Sequence, residues 1–430
     1  MGPLSGLKVI DLTHVMAGPT CTMMLADMGA DVIKIERNPG GDDTRRSVPP
    51  KIRGESAAFM MMNRNKRGLV LDLKTPGGAE VLRRLAKSAD VLVENFGPGV
   101  MERLGFGYED LKKENPGLIY CSLSGFGRTG PYKDRRGFDL VAQAMSGIMS
   151  VTGDGPDSPP AKCAPPISDI TAGIVAAMGV LAAYAHRLRT GKGQWLETSL
   201  FEAALVQTYW QSAIALATGF APRAMGSAHP LNAPYQAFEA SDGWIVIGGA
   251  NQRNWLKVVE AIGAPELAED PRFAHNPERM AHLKELETEL GRRFRTKPAA
   301  HWLAVFDDLG VPAGPVNDML QALSDPQTIA REMVVELEHS TAGRVKAIGF
   351  PVKFSETPGK VRKAAPVFGE DTVEILSEYG FTSDEIAVLE RDGAVVAHHP
   401  ETTRQKVAWR TGPHEPLRAK LRSDGRSGEI

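Results

Sequence analysis

Cysteine is scarce in this sequence: its 430 residues include three, Cys21, Cys121 and Cys163. An odd number of widely spaced cysteines argues against the disulfide framework of small secreted domains and favours a reducing compartment. No cysteine or cysteine–histidine pair has the spacing of a zinc site, so we predict no bound metal. A chain of this length can instead form two or three domains with substantial hydrophobic cores.

The sequence also lacks an excess of charge of one sign and a long hydrophobic run. Its formal net charge of -2 gives no support to nucleic acid as a partner. The longest apolar run, residues 172–185, is shorter than the roughly 18 residues that a membrane span needs. The first residues contain no basic segment followed by an apolar stretch, which a secretory signal would have. We therefore expect a cytoplasmic protein with no nucleic-acid or membrane partner.

Several motifs of nucleotide-binding proteins and hydrolases are missing as well. The sequence contains no Walker A motif and no G-x-S-x-G nucleophile elbow. Gly125, Gly127 and Gly130 match the spacing of the dinucleotide fingerprint, but Pro131 follows where a helix should begin. No acidic residue at the expected offset of about 20 residues is evident to bind a ribose. We interpret this segment as a mobile loop, which argues against a nicotinamide site.

What the sequence does contain is a regular alternation of apolar runs and amphipathic stretches over residues 7–124. The predicted strands are 7–12, 32–36, 69–73, 91–93 and 118–123, and the predicted helices are 20–28, 78–87 and 108–114. Short apolar strands that alternate with helices are typical of a doubly wound, Rossmann-like parallel sheet. We therefore predict an α/β fold.

Ligands of such sheets bind beyond the carboxyl ends of the strands, so the residues that follow each strand are candidate ligand contacts. These residues are His14 and Val15, Arg37, Lys74, Asn95 and Phe96 with Arg103 a few residues on, and Arg136. Any one of the cations could be a solvated surface residue. Several cations at the same edge indicate a polyanionic ligand, such as a phosphorylated cofactor.

The second half of the chain has a different pattern, which predicts a smaller α+β domain. A strand (194–199) and a helix (200–218) precede a linker, and a hairpin over 235–239 and 244–247 precedes helices at 253–262, 281–296 and 299–309. We predict a large domain over 1–224, a small domain over 225–325, and a return to the large domain over 326–396. Residues 397–430 are basic and poor in apolar residues, which is typical of a disordered tail.

Residues 168–187 predict a helix that is apolar on every face and therefore buried on all sides. Ser168 or Asp169 is the expected N-cap. The positive end of the helix dipole should favour the ionised form of Asp169. Within this segment, Asp169 can be a cap or a nucleophile, and both interpretations stay open.

A series of short motifs runs through residues 3–395. They are residues 3–12 (PLSGLKVIDL), 17–19 (AGP), 25–36 (LADMGADVIKIE), 63–66 (NRNK), 71–74 (LDLK), 93–99 (VENFGPG), 124–127 (SGFG), Asp169 at its helix start, 191–194 (GKGQ) and 310–316 (GVPAGPV). Each motif is weak, but their order and spacing are specific as a set. Together they resemble the class III CoA-transferase family, also called the formyl-CoA transferase or carnitine-CoA transferase family.

This resemblance implies a reaction and a set of site residues. Asp169 would attack an acyl-CoA thioester to form a mixed anhydride, which the CoA thiolate converts to an aspartyl-CoA thioester. Gly248 and Gly249 would form a glycine loop over the intermediate. Coenzyme A would be a substrate rather than a permanent cofactor, and its contacts would be His14, Val15, Arg37, Lys74, Asn95, Phe96, Arg103 and Arg136. The family fold is an interlocked homodimer.

Three functions remain open under this resemblance. The sequence is most similar to the branch that uses succinyl-CoA and dicarboxylates such as glutarate. The racemase branch of the family has a histidine at the position of Phe138, and phenylalanine cannot exchange a proton. The formyl-CoA member has a glutamine at the position of Met16, which argues against oxalate and formyl-CoA as substrates. The third possibility is a CoA-binding protein without catalytic activity.

Overall fold

Strands and helices alternate in the N-terminal part of the chain, as the apolar runs predict. The computed structural model describes residues 1–399, so the predicted tail lies outside the described residues apart from 397–399. In chain order, the elements up to residue 145 are β1 (Lys8–Asp11), α1 (Ala17–Asp27), β2 (Asp31–Arg37), β3 (Lys51–Ile52), β4 (Glu55–Ser56), α2 (Ala57–Met62), β5 (Lys66–Leu71), α3 (Pro76–Ser88), β6 (Val91–Glu94), α4 (Val100–Arg103), α5 (Tyr108–Glu114), β7 (Ile119–Ser124) and α6 (Asp139–Met145).

The remaining elements include one predicted helix that the structure divides into two. They are α7 (Ile148–Val151), α8 (Ile167–Thr190), β8 (Trp195–Ser199), α9 (Leu200–Val206), α10 (Tyr209–Thr218), β9 (Tyr235–Glu239), β10 (Trp244–Gly248), α11 (Gln252–Ala261), α12 (Asn276–Ala281), α13 (Leu283–Phe294), α14 (Ala299–Leu309), β11 (Ala313–Pro315), α15 (Met319–Ser324), α16 (Pro326–Ala330), β12 (Val334–His339), β13 (Gly343–Ile348), α17 (Thr372–Glu378), α18 (Ser383–Arg391) and β14 (Val395–Val396). The predicted helix over 200–218 is interrupted between α9 and α10, where the Thr208 hydroxyl donates to the carbonyl of Leu205 at 2.8 Å. Such a side-chain bond competes with the regular helical ladder.

The central sheet has seven strands in the order β14-β5-β2-β1-β6-β7-β8. All neighbouring pairs are parallel except β14 with β5. Val9 of β1 belongs to the core that α1 and α8 cover, and Ile10 belongs to the core that α3 and α5 cover on the other face. Helices thus cover both faces of the sheet, and the predicted α/β fold with a mostly parallel sheet is confirmed.

A separate hydrophobic core lies within residues 233–311. It packs beneath the three-stranded antiparallel sheet β11-β10-β9, whose predicted hairpin β9–β10 is confirmed. Residues beyond 326 include the hairpin β12–β13 and strand β14, which adds to the edge of the central sheet. This arrangement supports the division at 224, 325 and 396, which stays a prediction.

The start of α8 differs from the sequence prediction. The helix begins at Ile167 after Pro166, and no side chain caps it, so the prediction of an N-cap at Ser168 or Asp169 is wrong. Both residues lie in the first turn. An oxygen of Asp139, on α6, accepts a hydrogen bond from the Ser168 N–H at 2.9 Å and satisfies one of the free donors of the helix end.

The prediction that α8 is buried on every side is also wrong for this chain. A Cβ at Gly173 would lie 2.6 Å from the Ala17 carbonyl oxygen, so this side of α8 packs closely on α1. The larger Met178 and Leu188 are 64% and 70% exposed. Within residues 1–399, α8 is the one helix long and apolar enough to cross a membrane by length and composition, although core helices pass the same test and 44% of its apolar window is buried.

Candidate active site

Two cavities meet at the carboxyl edge of the central sheet. The chain's direction of winding reverses between β1 and β6, which is where open α/β sheets bind ligands. One cavity, of about 210 Å³, contains Asp169, and the other, of about 350 Å³, contains Arg37 and Lys74. His14 lines both cavities, so they adjoin. The structure therefore brings the predicted nucleophile close to residues predicted to bind the polyanion.

The segment that separates the two cavities is held by Asn95. The backbone N–H of His14 donates to Oδ1 of Asn95 at 2.8 Å, and Nδ2 of Asn95 donates to the His14 carbonyl at 2.8 Å. The rings of His14 and Phe96 contact each other edge to face, with centroids 5.7 Å apart. These contacts join the loop after β1 to the loop after β6 and fix the position of the His14 ring.

Val15 has a left-handed backbone conformation that residues other than glycine rarely adopt, with φ at 69°. Its N–H donates to Oδ1 of Asp42 at 3.2 Å. The other oxygen of Asp42 binds the ammonium of Lys34 at 2.8 Å, and both of these side chains are fully buried. A buried ion pair with further hydrogen bonds thus supports the loop that lines the Asp169 cavity.

The charges of this buried pair and its neighbours determine protonation at the site. Burial alone would raise the pKa of Asp42, but the Lys34 ammonium and the Thr44 N–H outweigh it and hold the pKa below its usual range. Burial, together with Lys34 and Arg37, lowers the pKa of His14 to about 4. His14 is therefore neutral at physiological pH. Its Nδ1 is buried and has no hydrogen-bond partner among residues 1–399.

Asp169 lies half-buried in a cavity whose walls are largely apolar, with Met16, Phe138 and Leu200 among them. Burial raises its pKa to about 7, and the neighbouring Asp139 carboxylate adds to this effect. The expectation that the helix dipole favours the ionised form is wrong in direction, since desolvation and like-charge repulsion dominate. A carboxyl group that titrates near neutral pH can act as an acid or as a nucleophile.

Some of the residues predicted to contact the polyanion line the larger of these two cavities, and others lie outside it. Arg37, Lys74 and Phe96 line the larger cavity together. Arg103 lies on α4, whose first residue Val100 lines that cavity, and its guanidinium donates to the Pro98 carbonyl at 3.4 Å. Arg136 is exposed and directly precedes Gly137, which lines the Asp169 cavity. Arg37 already forms an ion pair with Asp43, which a bound anion would have to displace.

Gly248 and Gly249 lie in a different place from Asp169. They are at the end of β10, beside a third cavity of about 470 Å³. The Asp169 cavity is lined only by residues between 14 and 200, so neither glycine contributes to it. A Cβ at Gly249 would be 2.8 Å from the ring of Pro234, and one at Gly248 would be 3.2 Å from Pro312. Close packing therefore accounts for both glycines, and within one chain the structure does not bring them to the nucleophile.

Sequence reasoning assigned no role to Asp139 or Asp42, although both lie at the edge it examined. Asp42 follows two glycines after β2, and Asp139 is the first residue of α6. An acidic residue in the first turn of a helix is ordinarily explained by the helix dipole, so its position alone does not indicate that Asp139 accepts a hydrogen bond from the Ser168 N–H. No local signal predicts that Asp42 would bind the Val15 N–H. No group of three or more potential metal ligands occurs within residues 1–399.

The fold and the two adjoining cavities define a doubly wound α/β protein that places a carboxylic acid beside a cation-lined pocket. The chain belongs to CoA-transferase family III, whose model matches residues 4–372. The resemblance stated from the motifs is thereby confirmed, as is the prediction of a CoA-transferase enzyme.

Comparisons with individual proteins agree with this assignment. Succinyl-CoA:glutarate CoA-transferase of Mus musculus is 38% identical and aligns over 88% of this chain and 86% of its own. Acetyl-CoA:oxalate CoA-transferase of Acetobacter aceti is 43% identical, over 88% of this chain and 96% of its own. The crystal structure of a CAIB/BAIF family protein from Brucella suis superimposes with a TM-score of 0.79 and 40% identity, over 88% of this chain and 99% of that chain.

Proposed function

We propose that this chain transfers CoA from an acyl-CoA donor to a free carboxylic acid, with Asp169 as the nucleophile. The observation that supports this most is the position of Asp169 in a cavity that adjoins, through His14, a cavity lined by Arg37 and Lys74. The two cavities match the two ends of an acyl-CoA, a reactive thioester and a charged nucleotide. Arginine and lysine are the residues that bind phosphate groups.

The first half of the reaction transfers CoA to the enzyme. The Asp169 carboxylate attacks the thioester carbonyl, the C–S bond breaks, and a mixed anhydride and a CoA thiolate form. The thiolate then attacks the Asp169 carbonyl carbon of the anhydride. This step releases the donor carboxylate and leaves an aspartyl-CoA thioester. No proton needs to be transferred in either step.

The second half reverses these steps with the acceptor. An acceptor carboxylate attacks the aspartyl thioester and releases the CoA thiolate, which then attacks the acceptor's carbonyl carbon and regenerates the Asp169 carboxylate. Since burial raises the pKa of Asp169 to about 7, the reactive ionised form is accessible at neutral pH. Poor solvation in an apolar cavity makes that carboxylate more reactive than one in water.

The residues proposed to bind CoA are those that the family resemblance implies. Six of them line the two cavities, namely His14, Val15, Arg37, Lys74, Asn95 and Phe96, and the other two, Arg103 and Arg136, lie next in sequence to lining residues. The cations would bind the phosphates, and the aromatic ring of Phe96 would contact the adenine. Neutral His14 lies where the two cavities join, so its ring would contact the thioester end of the CoA arm.

Gly248 and Gly249 are proposed to close over the intermediate and to donate backbone N–H groups to the oxyanion. In one chain they lie beside a cavity that does not contain Asp169, so this role requires a movement or a second chain. The interlocked homodimer that the resemblance implies would supply one. In support, α10 has no buried residue and exposes Tyr209, Trp210 and Leu216, which is unusual for a single chain in water.

The proposed substrates are succinyl-CoA as donor and a dicarboxylic acid such as glutarate as acceptor. The name of the mouse relative contains both compounds. The name of the Acetobacter relative contains oxalate instead, and its identity to this chain is slightly higher. Oxalate therefore belongs in the acceptor panel although Met16 argues against it. A cytoplasmic location remains a prediction based on the cysteine content.

An exchange assay on the purified full chain tests the proposal. Labelled succinyl-CoA is incubated with glutarate, oxalate and other carboxylates, and new acyl-CoA species are measured by mass spectrometry. We expect exchange with wild type and none with Asp169→Ala, which should still bind CoA by calorimetry. Asp154→Ala, which removes an exposed aspartate, is the control and should retain exchange. Exchange by Asp169→Ala at the wild-type rate would falsify the assignment of the nucleophile.

The same assay distinguishes the alternatives. Racemisation of a 2-methylacyl-CoA without exchange would indicate the racemase, and CoA binding without either reaction would indicate a binding protein. Phe138, which occupies the position of the racemase histidine, is 73% exposed at the Asp169 cavity and has no group to transfer a proton.

A further inference from the structure

Arg279 is a buried cation without a carboxylate partner. It lies on the short helix α12 and is 0% exposed, and within residues 1–399 it forms no ion pair, although the charge of the adjacent Glu278 acts on it. One of its nitrogens, Nη2, has no hydrogen-bond partner in the same part of the chain. Burial lowers its pKa to about 10. Burying a cation without an ion pair is costly, so the hydrogen bonds of this guanidinium must offset its loss of hydration.

The guanidinium instead connects separate backbone segments. Its Nε donates to the Ala233 carbonyl at 2.6 Å, and its Nη1 donates to the Phe273 carbonyl at 2.9 Å and to Oε1 of Gln252 at 3.1 Å. The guanidinium also lies over the ring of Trp255, 5.0 Å from its centroid. Arginine can bind several acceptors at once because its donors form a rigid, planar fork.

Two of these segments flank the glycine turn, by which we mean residues 248–251. Gln252 directly follows the turn at the start of α11. Pro234 follows Ala233 and packs against the turn so closely that a Cβ at Gly249 would be 2.8 Å from its ring. Arg279 thus contacts the residue after the turn and the residue before the proline that supports the turn.

A second residue of α12 forms hydrogen bonds with the segment that contains Ala233. Oδ1 of Asn276 accepts a hydrogen bond from the Ala233 N–H at 3.0 Å, and its Nδ2 donates to the Leu231 carbonyl at 2.8 Å. From the other side, Nδ2 of Asn254 on α11 donates to the Gly248 carbonyl at 3.1 Å. Polar contacts therefore hold the segments on both sides of the glycine turn, and Arg279 makes the largest number of them.

We propose that Arg279 is a positioning residue that fixes the glycine turn and thereby determines whether the acyl-enzyme reacts with an acceptor carboxylate or with water. The inference rests on the proposed function, in which this turn covers the intermediate. Correct placement of the turn excludes water, and reaction rates are sensitive to displacements of about 1 Å. Lysine cannot replace the arginine, because a single ammonium cannot reach the Ala233, Gln252 and Phe273 acceptors together.

The side reaction that the turn suppresses is hydrolysis of the aspartyl-CoA thioester. Water adds to the Asp169 carbonyl carbon, the C–S bond breaks, and CoA leaves as the thiol while one proton goes to solvent. The Asp169 carboxylate is regenerated without any acyl transfer. Each such event consumes one acyl-CoA and produces one free thiol, so hydrolysis and transfer can be counted separately.

The test measures the ratio of hydrolysis to transfer with succinyl-CoA and glutarate. Free thiol and glutaryl-CoA are quantified in the same reaction with the purified full chain. We expect Arg279→Lys to raise this ratio about tenfold or more, since a misplaced catalytic group commonly costs rate on that order. The ratio is a property of each active molecule, so a smaller folded fraction does not change it.

Two further variants make the outcome decisive. Gln252→Ala removes one acceptor of Arg279 at an exposed position and should raise the ratio in the same direction with little loss of melting temperature. Trp302→Phe is the control: it removes a 2.8 Å hydrogen bond to the Phe294 carbonyl in the same core, so it should lower the melting temperature and leave the ratio unchanged.

An unchanged ratio in Arg279→Lys would overturn the inference, as would a ratio that rises equally in Trp302→Phe. If Arg279→Lys does not fold, the result for Gln252→Ala decides in the same way. Wild-type protein that exchanges CoA with no carboxylate would refute the proposed function itself, and the inference with it. The two failures are therefore distinguishable.

Discussion

Replacement of Asp169 by asparagine should stabilise the folded protein at alkaline pH and not at acidic pH. In an unfolded chain this carboxyl group loses its proton near 3.8, whereas in the folded protein its pKa is about 7. Between these values the folded state holds a proton that the unfolded state has released. Raising the pH therefore favours unfolding, and the full penalty is present above pH 7. Asparagine has a similar shape and carries no such penalty.

The size of the effect follows from the pKa difference. A shift from 3.8 to about 7 corresponds to an upper limit of about 4 kcal/mol, at about 1.36 kcal/mol for each pH unit. Asp169 is only half-buried, so solvent screens part of the interaction. We therefore expect Asp169→Asn to raise the free energy of unfolding by about 1–2 kcal/mol at pH 8, with no gain at pH 4.

Urea unfolding at pH 4 and pH 8, at one fixed protein concentration, measures this difference. Asp154→Asn, at an exposed position, serves as the control and should behave like wild type at both values. If the stability difference between Asp169→Asn and wild type is the same at pH 4 and pH 8, then burial and Asp139 do not raise the pKa of Asp169 in the folded protein.

Three further predictions concern the residues around Asp169 and His14. Asp139→Asn keeps an acceptor for the Ser168 N–H but removes a charge, so the pH midpoint of kcat/KM should move to lower pH; an unmoved midpoint would contradict this. Asn95→Ala loses two hydrogen bonds to His14, each worth about 1 kcal/mol, and calorimetry should show weaker CoA binding rather than an unchanged affinity. Asp42→Ala removes the carboxylate that forms the ion pair with the buried Lys34 ammonium, so the free energy of unfolding measured in urea should fall by about 3–5 kcal/mol.

The sequence predicted the sheet and its ligand-binding edge well because both depend on local patterns. Strands β1, β2, β6 and β7 lie within about two residues of the predicted bounds, since each is an apolar run between polar turns. The capping box that Thr382 and Glu385 form at the start of α18 likewise follows a local sequence pattern. Arg37, Lys74 and Phe96 were expected at one edge because parallel strands end at the same side of a sheet.

The start of α8 could not be predicted from its own residues. The hydrogen bond that satisfies the Ser168 N–H comes from Asp139, 29 positions earlier in the chain. The exposed side of α8 was missed because composition alone does not say which apolar residues a single chain can cover. The protonation of Asp169 was misjudged because burial, a property of the whole fold, outweighs the local effect of the helix dipole.

The roles of Asp42 and Arg279 illustrate the same limit. Each binds backbone groups from distant parts of the chain, such as the Val15 N–H and the Ala233 carbonyl. Which backbone groups meet a given side chain depends on the tertiary arrangement, and no spacing rule along the sequence describes it. Such contacts become visible only with the structure.

The antiparallel pairing of β14 with β5 places a demand on biosynthesis. Val395 pairs with Leu71, so the ribosome must add roughly 320 residues after β5 before β14 can pair with it. This takes on the order of 20–60 s of translation. Throughout that interval β5 presents unsatisfied amide and carbonyl groups to other nascent chains. Efficient production in a heterologous host should therefore depend on chaperones that shield the emerging sheet.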